Sequence, residues 1–425
     1  MRPSKVKSNP KLTTLVLGAL TALVVVSIIL FPDKAFQSSL EGLTIWWKLV
    51  FPALMPFLIL TELLIGFGVI QGTGVLLDPL MRRLFRLPGI SGWALASGLI
   101  VGFPSGAKIT ATLHEKKLIT RSDTERVTSL SHLCSPLFMV MVVGVGFLHS
   151  AKLGILLAIV HYITAAITGI LMRMFQSPVQ SSEDGLTIQT ELVPPGPIWK
   201  HAICTMRQAY LHDGRAFGKL LGDSVLTSVQ TLMLIGGYMM IFSVLINVLT
   251  ITHLTDALRP LTAALLGFMN IHTDTAPLWI KGFMEIHLGA YAWSQAQDLA
   301  LLPQMALLSA FLGWGGLSAH AQVAGFQQHT DARYSFFFQS RLLHAVLALV
   351  FTILLWKPLQ FLLKDTEPSF LWLDAHPHTE ALLPALLNSG SLWGIGTMTL
   401  VPFALCLLVM LTVSALLRTS DKKAL

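Results

Sequence analysis

Long apolar runs separated by short polar stretches dominate this chain. Leu12 to Phe31, Leu43 to Ile70, Leu153 to Phe175, Val225 to Thr250, Phe336 to Trp356 and Leu392 to Leu417 each have about the 20 apolar residues that a membrane-crossing helix needs. Four further apolar segments are interrupted. Trp93 to Leu113 breaks at Gly102-Phe-Pro-Ser-Gly106, and Val127 to Leu148 breaks at His132-Leu-Cys-Ser-Pro136. Pro277 to Trp293 breaks at Glu285-Ile-His287, and Gln304 to Phe326 breaks across Gly313-Trp-Gly-Gly-Leu-Ser-Ala-His320. Lipid offers free backbone no hydrogen-bond partner, so a broken helix at membrane depth belongs against protein or a watery cavity. Such breaks at corresponding places in two halves of a membrane protein point to a transport site.

The halves correspond. An offset of 184 (282 − 98) lays Gly98 on Gly282 and carries Cys134 onto Ser318. The segmentation that follows is an N-terminal helix and turn (1–42), a first repeat (43–175), a cytoplasmic linker (176–222), a second repeat (223–356), an extracytoplasmic loop (357–391) and a C-terminal helix and tail (392–425). Between the apolar runs, the stretch holding Asp33, Lys34 and Glu41 reads as a polar turn. Pro52 and Pro56 mark a kink early in the second run. Gly74 to Leu87, carrying Arg82, Arg83 and Arg86, reads as an amphipathic helix at the membrane surface. Thr255 to Leu266 is likewise amphipathic, and the charged stretch His114 to Arg126 belongs in water.

Composition agrees: 53% of residues are hydrophobic and 12% charged, about half the usual charged share. The formal charge of +7 does not indicate a nucleic-acid partner, because Lys and Arg sit in short loops, as orientation signals do. With both hairpins re-entrant and both termini cytoplasmic, eight spans put 20 Lys and Arg inside against 5 outside (Lys34, Lys152, Arg259, Lys357 and Lys364). Each repeat then crosses three times, so the repeats are inverted. The first hairpin enters from the cytoplasm and the second from outside. The expected fold is an all-α polytopic membrane protein of about eight spanning helices, with inverted repeats, two re-entrant hairpins and broken helices. Cys134, Cys204 and Cys406 have neither disulfide nor metal spacing. The run after Arg2, Lys5, Lys7 and Lys11 is too long for a signal peptide and is read as a retained helix.

Phe51-Pro-Ala-Leu-Met-Pro-Phe57, Gly102-Phe-Pro-Ser-Gly-Ala-Lys108, Cys134-Ser-Pro-Leu-Phe138 and Gly315-Gly-Leu-Ser-Ala-His-Ala-Gln322 together resemble the YlbJ-type (SpoVV) sporulation integral membrane proteins, which contain the "nucleoside recognition" Gate domain. The resemblance runs roughly from Leu12 to Trp356. It implies a fold similar to the concentrative nucleoside transporters and the movement of dipicolinic acid from mother cell toward forespore, in the outer forespore membrane. The chain departs from the family at His287, where Thr is usual.

A flat dianion calls for positive charge, backbone N–H donors and a surface to stack on. Gly102 and Gly106 allow close backbone approach at a half-helix start, Ser105 adds a hydroxyl, and Lys108 follows within a turn. The competing role for Lys108 is to snorkel to the membrane edge. Cys134 and Ser135 occupy the first broken span, and Gly316 and Ser318 the second; small residues there also suit plain helix packing. His132, His287 and His320 are candidates for proton coupling or carboxylate binding, with a hydrogen-bonded structural role as the alternative. Glu285 either couples a cation or proton, orients His287, or pairs with Lys281 one turn earlier. Phe103 and Trp314 offer rings for stacking, or for packing alone.

The partners expected are a small organic anion, the bilayer and, for a homo-oligomer, a second copy, with no metal or organic cofactor and with the coupling ion, proton or sodium, open. Rival functions are a nucleoside or other organic-anion carrier of the same fold, an accessory scaffold, and an intramembrane serine protease. For the last, Gly102-Phe-Pro-Ser-Gly106 has one residue more between Gly and Ser than the rhomboid Gly-x-Ser-Gly box. His114-Glu115 lacks the second His of a zinc-protease motif.

Overall fold

Uniformly apolar stretches wind into long helices here, and each polar or Gly/Pro interruption ends one. A computed structural model describes residues 10–174, 197–253, 255–267, 275–296 and 299–359, with residue 412. Among the described residues all regular secondary structure is helical. In chain order the helices are α1 (Pro10–Leu30), α2 (Pro32–Gly66), α3 (Val69–Leu80), α4 (Gly92–Ile100), α5 (Ser105–Glu115), α6 (Arg121–Ser131), α7 (Phe138–Phe147) and α8 (Ala151–Met172). There follow α9 (Ile198–Asp213), α10 (Phe217–Ile251), α11 (Arg259–Gly267), α12 (Ala276–Met284), α13 (Ile286–Ser294), α14 (Leu301–Trp314), α15 (Gly316–Gln327) and α16 (Tyr334–Leu359). Among the described residues, five stretches are long and apolar enough to cross a membrane: α2, α8, α10, the pair α14–α15, and α16. The molecule is an all-α polytopic membrane protein.

Two elements differ from the sequence expectation. The turn expected at Asp33 to Glu41 is helical and continuous with the next run, so Pro32–Gly66 is one 35-residue helix. Pro32 starts it with a pre-set φ, and Asp33 sits in the first turn where the helix dipole favours an acid. Pro52 has no N–H for the carbonyl four residues back, and the helix answers by widening to π geometry over Trp46–Val50. The stretch expected as a polar linker contains α9, which packs on α3, and the first turns of α10. Arg215 joins these two helices by pairing with Asp213 (2.7 Å) and Asp223 (3.0 Å). The expected loop Lys357 to Ser389 and last helix Leu392 to Leu417 lie almost wholly outside the described residues.

The four expected interruptions all appear. Helices α4 and α5 pack on each other as a hairpin with its turn at 101–104, and α12 and α13 do so with their turn at Glu285. Helix α6 ends at Ser131, ahead of the irregular stretch 132–135 and Pro136. Helix α14 ends at Gly315, whose φ of 89° only glycine adopts readily. A capping box between Thr120 and Asp123 begins α6 at the edge of the charged stretch. The larger buried core joins α2, α7, α8, α10, α13 and α14 through side chains such as Val50, Met139, Leu156, Leu232, Trp293 and Leu308. A second core beneath α3, α4 and α6 includes Leu77, Met81, Ala94 and Val127.

Candidate substrate-binding site

The interruptions converge. A Cβ on Gly102 would stand 2.9 Å from Cβ of Ser135, and one on Gly106 would meet the Ser131 carbonyl oxygen, so the first hairpin rests directly on the broken segment α6–α7. In the second half of the chain, a Cβ on Gly316 would lie 2.9 Å from the backbone nitrogen of Ile286, placing the broken pair α14–α15 against the second hairpin. The broken spans also meet each other. The Cys134 thiol donates to the Leu312 carbonyl (3.6 Å), and a Cβ on Gly315 would lie 3.3 Å from Nε2 of His132. Between the two halves of the chain, the rings of Phe138 and His287 meet edge to face at 4.9 Å.

Backbone freed at the first break is satisfied by side chains from α8 and α16. Arg341, 1% exposed, donates to the carbonyls of Ser129 and His132, the latter at 2.7 Å. His161 accepts the Cys134 N–H (3.1 Å), and the Tyr162 hydroxyl donates to the Cys134 carbonyl (2.8 Å). Phe103 N–H donates to the Leu133 carbonyl (2.8 Å), and Ser135 Oγ accepts from Phe138 N–H (3.2 Å) as a cap for the second half of the span. Open backbone inside a membrane protein needs this kind of bookkeeping.

At the second hairpin Glu285 does the equivalent work. Its Oε2 accepts the Leu288 N–H (2.7 Å), capping α13, and its Oε1 accepts His287 Nδ1–H (2.7 Å) and the Ser318 hydroxyl (3.4 Å). Of the three roles open to Glu285, the geometry includes orientation of His287. Lys281 is engaged elsewhere, with Glu41 of α2 at 3.1 Å. With Nδ1 held by Glu285, Nε2 is the ring nitrogen that His287 has left for a solute.

A cavity of about 250 Å³ lies at this junction, between α2, the first hairpin's turn, the first break, α10, α13 and α15. Gly102, Ser105, Lys108, Ser135 and His287 line it, as do Phe103 and Phe138. The volume suits a small solute, falling just below the range of roughly 300–1,000 Å³ typical of drug-sized pockets. Lys108 is exposed and forms no ion pair among the described residues, which leaves its ammonium free for an anion. Ser105 shares a hydrogen bond with Ser97 (2.7 Å) across the hairpin.

The other sequence candidates stand behind the cavity wall. Gly106, Cys134, Glu285, Gly316, Ser318 and His320 are buried and do not line it. His320 has both nitrogens engaged, with the Tyr334 hydroxyl (2.7 Å) and the Trp314 carbonyl (3.2 Å), and its ring stacks on Trp314 at 4.1 Å. Trp314 is outside the cavity too, whereas Phe103 stacks on His132 at 5.3 Å and faces the cavity. His132 is 2% exposed, and neither of its nitrogens has a hydrogen-bond partner among the described residues. Among the described residues, no group of three or more His, Cys, Asp or Glu is placed to hold a metal ion.

Sequence reasoning passed over Glu62, Thr227, Thr231 and Gln322, which also line the cavity, and the buried trio His161, Arg341 and His344. A signal was available for four of them. Glu62, His161, Arg341 and His344 are ionisable residues inside apolar runs, where such groups are rare without a role.

Comparison with known proteins gives two matches. The family model described as "Gate: Nucleoside recognition" matches residues 47–160. The chain is 40% identical over 349 residues to "Sporulation integral membrane protein YlbJ" of Bacillus subtilis (strain 168), covering 82% of this chain and 84% of that protein. No solved structure matches.

Proposed function

The chain belongs to the YlbJ family of sporulation integral membrane proteins, and from that premise we propose that it carries a small organic dianion, dipicolinate, from mother cell toward forespore by alternating access. The observation that supports this best is the junction itself: four interrupted segments meet beside one cavity, and that cavity holds an unpaired Lys108 and the directed imidazole of His287. One carboxylate of the solute takes the Lys108 ammonium and the Ser105 hydroxyl at the start of α5. The other takes Nε2–H of His287 when that ring carries both protons, its Nδ1–H being held by the Glu285 carboxylate. Phe103 and Phe138 supply aromatic surface for the ring.

Side-to-side contacts support the inverted arrangement. Arg333 pairs with Glu125 (2.8 Å), and Asp331 with His114 (3.2 Å), which joins two loops that charge bias puts in the cytoplasm. Glu41 and Lys281, both assigned outside, also meet. In this arrangement both termini are cytoplasmic, and the host membrane is the outer forespore membrane. Ser105 has a serine hydroxyl as partner and no base, which disfavours a serine hydrolase.

The test is uptake of radiolabelled dipicolinate into proteoliposomes of the purified full-length chain. Lys108→Ala is expected to weaken binding on the order of 10- to 100-fold, the loss of one hydrogen bond to a charged group, about 1.5–3 kcal/mol. Undiminished uptake by the variant removes Lys108 from the site. Preference for nucleosides over dicarboxylates makes the runner-up carrier the better description.

A further inference from the structure

Glu62 is the one acid among the residues lining the cavity, and Lys108 the one lysine or arginine. They project from different elements, α2 and α5, and neither side chain makes a hydrogen bond or ion pair among the described residues. A carboxylate facing a site for a dianion works against binding whenever it is ionised. It repels the incoming charge and partly neutralises the Lys108 ammonium that should receive it. A membrane helix retains such a group only at a cost. The cost is understandable if ionisation changes during the transport cycle.

We propose that Glu62 carries the coupling proton, so that the anion and one proton move together. This rests on the carrier reading above and assigns its coupling ion. The proton comes from the water on the entry side and adds to the Glu62 carboxylate. Lys108 is then free for the anion, and the two leave together on the far side; no other bond is made or broken. By linkage, protonation tightens anion binding and bound anion raises proton affinity by the same factor.

The charged and titratable groups around Glu62 are few. Lys108 comes from α5 and His287 from α13. Arg215, just before α10, acts on Glu62 from a distance, with its guanidinium already shared between Asp213 and Asp223. Helix α10 contributes the neutral Thr227 and Thr231 to the cavity, α15 contributes Gln322, and α3 and α9 contribute no side chain.

The experiment uses proteoliposomes of the full-length protein loaded with a pH-sensitive dye, with dipicolinate added outside. Lumenal acidification is expected to accompany wild-type uptake, and an inward proton gradient should raise accumulation. The wild-type Kd for dipicolinate should weaken by up to about tenfold per pH unit as Glu62 deprotonates. Glu62→Gln is expected to abolish gradient-driven accumulation and flatten that dependence, while Glu62→Asp retains both. Repeating the series in a His287→Gln background, which keeps a donor for Glu285, removes any contribution from imidazole. Wild-type uptake without proton movement, uptake that follows a sodium gradient, or a Glu62→Gln protein with the wild-type pH dependence overturns the inference and leaves the carrier standing. No dipicolinate uptake by the wild-type protein overturns both.

Discussion

Glu285 shows how much one side chain does at a broken membrane helix. It is 1% exposed, and its two oxygens accept from the Leu288 backbone, the His287 ring and the Ser318 hydroxyl. Removing it leaves a helix start uncapped and a buried imidazole undirected. Glu285→Ala should therefore destabilise the protein by about 2 kcal/mol or more, read as a lower melting temperature in detergent. Ser318→Ala, which loses only the long 3.4 Å contact, should move the melting temperature far less. Equal effects of the two would contradict this division of labour. Gly102, Ser105, Ser135 and Glu285 were legible in the sequence because each interrupts an apolar run, and an interruption must be accommodated somewhere. Which side of the wall each faces was not legible. Lys108 and His287 reach the cavity whereas His320 turns to Tyr334, and this depends on rotation about helices that no single run records.

Among the elements, the broken span α6–α7 is held at both ends by partners distant in sequence. Arg341 of α16 closes its break, and near its start Glu125 accepts from the backbone, Nε and an Nη of Arg333. Burial works to raise the Glu125 pKa, but the hydrogen bonds and charge of Arg333 outweigh it and hold the carboxyl below its ordinary value of 4.5. A carboxylate whose folded pKa is lowered stabilises the fold fully above its unfolded pKa and loses that contribution as pH falls through the folded value. Thermal melts of the wild-type protein should thus carry an acid-side loss, beginning near pH 4.5 and extending below it, that Glu125→Gln lacks. Parallel curves for the two proteins in that window would assign the acid sensitivity to other groups. Long helices and their interruptions were legible from apolar periodicity and Gly/Pro punctuation. The continuity of α2 through Asp33 and Glu41 was not, since polar residues on an exposed helix face look like a turn until Ser243 is seen docking on the Ser38 carbonyl (2.7 Å). Helix α9 was hidden for the same reason, being a polar helix whose packing surface is α3.

Across the whole molecule, the offset of 184 and the charge bias supplied an expected repeat and an expected sidedness. Convergence of both breaks and both hairpins beside one cavity was not legible, because it depends on close approaches such as Gly316 to Ile286 that are set by three-dimensional packing. Entry of the two hairpins from opposite sides, closing on that one cavity, can be read out by cysteine accessibility. In a chain whose three native cysteines are replaced, Glu115→Cys at the open end of the first hairpin and Gln295→Cys at that of the second are both exposed positions. With an impermeant thiol reagent, Glu115→Cys should be labelled only in inside-out vesicles and Gln295→Cys only in right-side-out vesicles. Labelling of both from the same side would refute entry from opposite sides.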